Sequence, residues 1–345
     1  MTPSDSGSRA PCPGQRRTAK RTTRGSLIGA MCRSALRTSA LLSVVGASLH
    51  AQGAQPQLGP LVDQWVKKPV DDRTFKSFLV FFQYDHRLPF DAQVKSVTDT
   101  GGLRRERLSF VSTSGVRVTA YFVQQLPVAS TPRPAIVFMH GGSRLGKDTP
   151  RYLDFVDFFA RAGFRVFSID MPYFGERATE LMTSFTEEEK HAKLYNQPPT
   201  YLAFVTQLVK DVGRSYDFLV AERHTDPKRV VLLGFSRGGQ LAYLVGAAES
   251  RFKGVAALYG GHMDHLELEH LPAACPANYI GRISPRPLFT MNGINDADYS
   301  RDSTVLPMLK LARKPVESVW LETGHSLPPE NLRAPLVAWL QERLR

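Results

Sequence analysis

Ser236 stands at the apex of Gly234-Phe-Ser-Arg-Gly238, with Val230-Val-Leu-Leu before it and Gln240-Leu-Ala-Tyr-Leu-Val-Gly-Ala-Ala248 after it. A short apolar run rich in β-branched side chains reads as a strand buried on both faces, and the segment that follows has helical composition. Strand, tight turn and helix are the context that makes G-x-S-x-G a nucleophile elbow. The glycines meet a steric need. The serine must adopt a strained backbone, and its neighbours two positions away must let strand and helix approach. The helix N-terminus adds free N–H groups and a partial positive charge beside the serine oxygen. A glycine-rich turn with an incidental serine is the blander reading; the flanking strand and helix favour the nucleophile.

A serine hydroxyl is a weak nucleophile at neutral pH and needs a base, an acid to orient that base, and an oxyanion site. On a doubly wound sheet these groups come from loops at the carboxyl ends of the strands. Asp296 follows an apolar strand and a glycine turn in Pro287-Leu-Phe-Thr-Met-Asn-Gly-Ile-Asn-Asp296, and Asp298 two residues on is its rival. His325 follows the next strand in Trp320-Leu-Glu-Thr-Gly-His-Ser326, with Gly324 permitting close approach. Ser236, acid, His325 is the chain order this architecture uses. In Phe138-Met-His-Gly-Gly-Ser143 the N–H of Gly142 is placed to pair with that of Arg237 around a developing oxyanion, while His140 braces the loop.

Other polar clusters compete for attention. His262, His265 and His270, interleaved with Asp264 and Glu267, match no zinc spacing such as H-E-x-x-H, and read as a polar loop near the site mouth. The expected chemistry needs neither metal nor cofactor. Arg237, Arg144 and Lys147 lie near the oxyanion loop and would favour an anionic acyl group. Surface solubility accounts equally well for Arg144 and Lys147.

These loops must be carried by regular elements. Arg107–Ser112 and Val116–Val123 alternate apolar and polar around a Ser-Gly turn, a β-hairpin. Strands follow at Ala135–Met139, Phe164–Asp170, Val255–Tyr259, Pro287–Met291 and Val316–Leu321, with helices at Tyr152–Ala162, Tyr201–Ala221 and Leu332–Leu344. Leu61–Val70 reads as a short amphipathic helix, and Phe75–Phe82 as an apolar segment of either kind. The alternation predicts an α/β fold: a mostly parallel sheet covered on both faces, with an antiparallel hairpin at its N-terminal edge. Residues 173–199 carry charge and no strand pattern, and read either as a small lid or as a surface excursion. The expected organisation is a leader over 1–51, an N-terminal extension over 52–106 packed on the core, and the catalytic domain over 107–345.

The formal net charge of +12 on 345 residues is concentrated at one end. Residues 1–51 carry eight basic side chains against Asp5 alone, which leaves about +5 for the rest and no basic patch interleaved with aromatics. Nucleic acid is therefore not the expected partner. Arg33 and Arg37 precede Ala40–Leu49, an apolar run too short to span a bilayer and right for a signal-peptide core, with cleavage after Ala51 or Ala54. Either Met1 or Met31 starts such a leader. An uncleaved anchor is the alternative; on cleavage no stable membrane association remains. Of Cys12, Cys32 and Cys275 only the last would survive processing, so the exported chain would rely on its core and not on an internal disulfide.

The His140-Gly141-Gly142 loop, Gly234-Phe-Ser-Arg-Gly238, Gly293-x-x-Asp296 and Gly324-His325 together resemble the α/β-hydrolase superfamily from about Arg107 to the C-terminus. With Asp170-x-Pro-x-Phe-Gly175, the chain is similar to the dienelactone hydrolase, acetyl-xylan esterase and prolyl-oligopeptidase-like groups. Ser236 stands where dienelactone hydrolases proper carry cysteine. Prolyl-oligopeptidase relatives carry a β-propeller, which the roughly 80 residues between Gln52 and Pro132 cannot build. Together with the leader, which implies export, the resemblance implies a serine carboxylesterase acting on small or medium acyl or acetyl esters. A peptidase or amidase is the nearest alternative, and a catalytically silent binding protein the more distant one. The natural ester and the oligomeric state stay open.

Overall fold

Val230–Leu233, the run that leads to Ser236, is wholly buried at the middle of the sheet. Val230 and Leu232 point to one hydrophobic cluster, Val231 and Leu233 to the other, as the two-residue period of a strand requires. The computed structural model describes residues 64–268 and 270–344. The leader over 1–51, its cleavage points, Met31 and the start of the Leu61–Val70 segment lie outside them.

Among the described residues nine strands form one sheet: β1 (Gln93–Thr100), β2 (Leu103–Thr113), β3 (Val116–Gln125), β4 (Arg133–Met139), β5 (Arg165–Ile169), β6 (Thr225–Phe235), β7 (Gly254–Leu258), β8 (Leu288–Gly293) and β9 (Val316–Leu321). Their order is β1-β2-β3-β5-β4-β6-β7-β8-β9. β1, β2, β3 and β5 pair antiparallel in succession, and every pair from β5 through β4 to β9 is parallel. The expected mixed sheet with an antiparallel N-terminal edge is what the chain forms.

The sheet begins before Arg107, where the hairpin was expected to open it: β1 joins it, and β2 starts at Leu103. Every residue of β1 is exposed, so no buried alternation marks it. Gly101 and Gly102, both at positive φ, make the tight turn between β1 and β2. Phe75–Phe82, open between helix and strand on its sequence, is helical.

The helices are α1 (Gln64–Lys67), α2 (Asp72–Phe78), α3 (Pro150–Arg161), α4 (Glu187–Lys190), α5 (Pro198–Glu222), α6 (Arg237–Ala248), α7 (Leu306–Leu311) and α8 (Ala334–Arg343). α5 and α6 cover one face through Phe204, Leu208, Phe218, Leu241 and Leu244, and Phe78 of α2 joins them. α3 and α8 cover the other through Phe155, Phe159, Leu336 and Trp339. With both faces buried, β4, β5 and β7 have no room for alternation, which explains their continuous apolar runs. Residues 173–199 make short turns, α4 and one wide helical turn (His191–Tyr195) beyond the carboxyl end of β5.

Candidate active site

Ser236 has φ 55° and ψ −120°, a left-handed conformation that costs a non-glycine residue about 1–3 kcal/mol. Two hydrogen bonds hold it there: its N–H donates to the Leu258 carbonyl on β7 at 2.9 Å, and its carbonyl accepts from the Gln240 N–H at 2.9 Å. The flanking glycines are required by contact. A Cβ on Gly234 would strike the Gly238 carbonyl, and one on Gly238 the Met139 carbonyl at the end of β4. The strained turn thus lifts Ser236 above the strand ends at the first turn of α6.

His325, past β9, and Asp296, past β8, meet Ser236 there. His325 Nε2 lies 2.8 Å from Ser236 Oγ, and His325 Nδ1 lies 2.8 Å from Asp296 Oδ2. With Nδ1–H donating to the carboxylate, Nε2 is left to accept the serine proton. Asp296 is fixed in turn, since its Oδ1 accepts the N–H groups of Asp298 and Tyr299, each at 2.9 Å. Its side chain is fully buried. The imidazole stacks on Phe235 at 5.6 Å between ring centres and meets Tyr259 edge-on. Asp298, the rival acid, is on the other side of the ring: its Oδ2 is 3.6 Å from Nε2 and its side chain is half exposed.

Gly142 and Arg237 line the same pocket of about 260 Å³ as Ser236 and His325. Arg237 opens α6, so its N–H has no carbonyl one turn back to bond. Close packing seats the loop: a Cβ at Gly141 would lie 3.0 Å from Ser236 Cβ and 2.6 Å from the Tyr152 hydroxyl. His140 is fully buried behind it. Its Nε2 accepts the Met171 N–H at 3.1 Å, so Nδ1 carries the proton and donates to the Gly141 carbonyl at 2.6 Å. Burial holds its pKa below the usual histidine value, which keeps the ring neutral, the form this bonding needs.

Of the three cations near the His140–Gly142 loop, Lys147 and Arg237 are paired with acids. Lys147 is fully buried, bonded to Asp170 at 2.9 Å and Glu176 at 2.6 Å; the expectation of a surface or substrate-facing charge is corrected. A lysine between exposed-looking residues gives no sign of burial in the sequence. Arg144 lies over the Phe185 ring. The Arg237 guanidinium is buried among Asp264 at 2.7 Å, Glu267, Gln240 and the face of Tyr195. Burial alone would raise the Glu267 pKa, but Arg237 and His270 beside it hold its carboxyl well below the usual range. His270 Nε2 is 3.0 Å from that carboxylate. Among the described residues no three His, Cys, Asp or Glu side chains gather as metal ligands.

Residues 173–199, from which the sequence singles out no pocket residue, supply several. The Lys190 ammonium donates to the Gly142 carbonyl at 2.8 Å and to Glu187 at 2.5 Å. His191 bonds the Asp264 carboxylate at 2.9 Å, and Tyr195 lines the same wall. Arg151 and Tyr152 of α3 and Tyr299 complete it. The acidic run Glu187–Glu189 masks these residues, because a charged stretch reads as solvated surface.

Several solved structures share this fold. An acetyl xylan esterase from Paenibacillus sp. R4 superposes with a TM-score of 0.61 at 15% identity, over 81% of this chain and 98% of its own. Acetyl Xylan Esterase 1 from Thermoanaerobacterium sp. JW/SL YS485 gives 0.60 at 16%, over 82% and 98%. A putative dienelactone hydrolase from Klebsiella pneumoniae gives 0.54 at 17%, over 70% and 99%. At such identities the likeness speaks for the α/β-hydrolase fold. No curated protein matches the chain by sequence. The model of the dienelactone hydrolase family matches residues 119–293, a span that holds the His140–Gly142 loop and Ser236. That span is just over half of the chain, and by it this protein belongs to the dienelactone hydrolase family.

Proposed function

We propose that this protein is an exported serine carboxylesterase that cleaves small or medium acyl esters through an acyl-enzyme. Ser236 attacks the ester carbonyl while His325 Nε2 takes its proton and then returns it to the leaving alkoxide. Asp296 fixes the imidazole tautomer and stabilises the imidazolium. The N–H groups of Gly142 and Arg237 receive the oxyanion. Water, deprotonated by the same base, releases the acid and restores Ser236.

The observation that carries this reading is the line Ser236 Oγ–His325–Asp296, both links 2.8 Å, raised on a strained elbow. A pocket of about 260 Å³ favours short acyl groups, in keeping with the acetyl esters named in two of the structural neighbours. Export rests on the Arg33 and Arg37 pair before Ala40–Leu49. Among the described residues no helix is long and apolar enough to cross a membrane.

Fluorophosphonate labelling with peptide mapping, alongside turnover of 4-nitrophenyl acetate, tests the chemistry. An adduct on Ser236 and activity lost in Ser236→Ala are expected; activity retained in Ser236→Ala sinks the assignment. N-terminal sequencing of protein recovered outside the cytoplasm tests export, with a new terminus at Gln52 or Gln55 expected.

A further inference from the structure

The Tyr195 hydroxyl is fully buried and has no hydrogen-bond partner. Tyr195 lines the same pocket as Ser236, and its hydroxyl lies beside the His140–Gly142 loop: a Cβ at Gly142 would lie 3.4 Å from that hydroxyl and 3.1 Å from Lys190 Nζ. An unpaired buried hydroxyl costs about 1–3 kcal/mol, so a ligand group that accepts its proton would bind with advantage. Burial raises the Tyr195 pKa, so the group remains a donor across the working pH range.

Lys190 defines what kind of acceptor fits. Its ammonium has three N–H donors, of which one goes to the Gly142 carbonyl and one to Glu187. Its charge is therefore matched already, and Asp264 and Asp298 line the same pocket. Asp264 is itself paired with Arg237 and His191, and Arg151 also lines the pocket. What Lys190 adds is thus a donor whose charge is already matched, and a neutral oxygen is sufficient to accept from it. Position defines where the acceptor sits on the substrate. The leaving oxygen must lie at His325 Nε2, whereas Tyr195 and Lys190 flank Gly142, whose N–H faces the oxyanion. The groups beside Gly142 therefore contact the acyl part, within reach of the first carbons after the carbonyl.

We propose that Tyr195 and Lys190 form an acyl subsite that selects esters of short acids bearing a neutral oxygen, as an ether, hydroxyl or ketone, next to the scissile carbonyl. This rests on the esterase reading above. This subsite differs from the anionic acyl group that Arg237, Arg144 and Lys147 suggest on the sequence.

The test compares 4-nitrophenyl methoxyacetate with 4-nitrophenyl butyrate, which differ only by oxygen for methylene. Each kcat/KM is divided by the hydroxide rate for the same ester, which removes intrinsic reactivity. The wild-type enzyme should favour the methoxyacetate by about three- to tenfold, the worth of one hydrogen bond. Tyr195→Phe should lose that preference. No wild-type preference overturns the proposal without any variant having to fold. An equal fall on both esters in Tyr195→Phe, with the preference intact, also overturns it and makes the hydroxyl an oxyanion donor. Preference for 4-nitrophenyl hydrogen succinate over both would replace it with carboxylate recognition. If neither ester is turned over and Ser236 takes no fluorophosphonate, the esterase reading itself fails and takes the subsite with it; turnover and labelling without the preference sink the subsite alone.

Discussion

Asp296 and Asp298 stand two residues apart and address opposite nitrogens of one imidazole. Asp296 Oδ2 is 2.8 Å from His325 Nδ1, while Asp298 Oδ2 is 3.6 Å from Nε2, on the side where Ser236 Oγ also lies. Only Asp296 can hold Nδ1 protonated and so leave Nε2 free to accept. Asp298 adds negative charge near the nitrogen that becomes positive in the proposed mechanism.

The two acids should therefore part company on substitution. Asp296→Asn should lower kcat by about 10³–10⁴, because an amide can stabilise the wrong tautomer and cannot stabilise the imidazolium. Asp298→Asn should change it by less than about tenfold, since a half-exposed charge acts through a high effective dielectric. Steady-state kinetics on one ester decide it; the reverse ranking would make Asp298 the triad acid.

That distinction marks where the sequence stops being legible. The elbow announces itself because its glycines answer to local contacts, and the strand-end placement of His325 follows from counting strands. Two candidate acids cannot be separated, since the turn after β8 that aims Asp296 inward depends on its own Oδ1 capping Asp298 and Tyr299. β1 escapes notice because an edge strand exposed on both faces has no periodic burial to betray it, although Gly101-Gly102 is available as a turn signal. Lys190, His191 and Tyr195 escape it for a related reason. Their burial comes from contacts distant in sequence, Lys190 with Gly142, His191 with Asp264, and Tyr195 with Arg237, and no local pattern encodes it.

Lys147 and Asp170 make a buried pair, both side chains fully out of solvent, behind the His140–Gly142 loop. The Lys147 N–H also donates to Asp170 Oδ1 at 2.8 Å, tying the turn after Gly146 to the end of β5. Lys147→Met leaves the carboxylate buried without its cation and should destabilise the protein by about 3–5 kcal/mol. Urea unfolding measures it. A loss below about 1 kcal/mol would mean that solvent reaches Asp170.

His191 is held between two acceptors, the Glu187 carbonyl 2.7 Å from Nδ1 and the Asp264 carboxylate 2.9 Å from Nε2. Both ring nitrogens must carry protons to satisfy them, which is the imidazolium. Burial opposes that charge, as does Arg237 behind Asp264, but the bond and charge of Asp264 prevail and the pKa is raised above the usual histidine value. A raised folded-state value stabilises fully below the unfolded pKa and fades as pH climbs through the folded one. The stability gap between wild type and His191→Gln should thus be largest near about pH 6 and shrink on the alkaline side. Denaturant titrations from about pH 6 to about pH 9 follow it. A gap that widens with pH would show that His191 is neutral when folded.

Ser236 has a backbone that suits glycine better than serine, with φ 55° held by the Leu258 and Gln240 bonds. On the proposed mechanism, function keeps the side chain there and stability would not. Ser236→Gly removes about 1–3 kcal/mol of strain and gives back up to about 1 kcal/mol through a freer unfolded chain. Ser236→Ala keeps its Cβ and hence the strain. Both variants should lose ester turnover by several orders of magnitude. The glycine variant alone should gain, unfolding about 1 kcal/mol later than the alanine one in paired urea titrations. Equal stability would mean that the elbow is relaxed in solution, and that the helix N-terminus, rather than stored strain, is what presents Ser236 to its substrate.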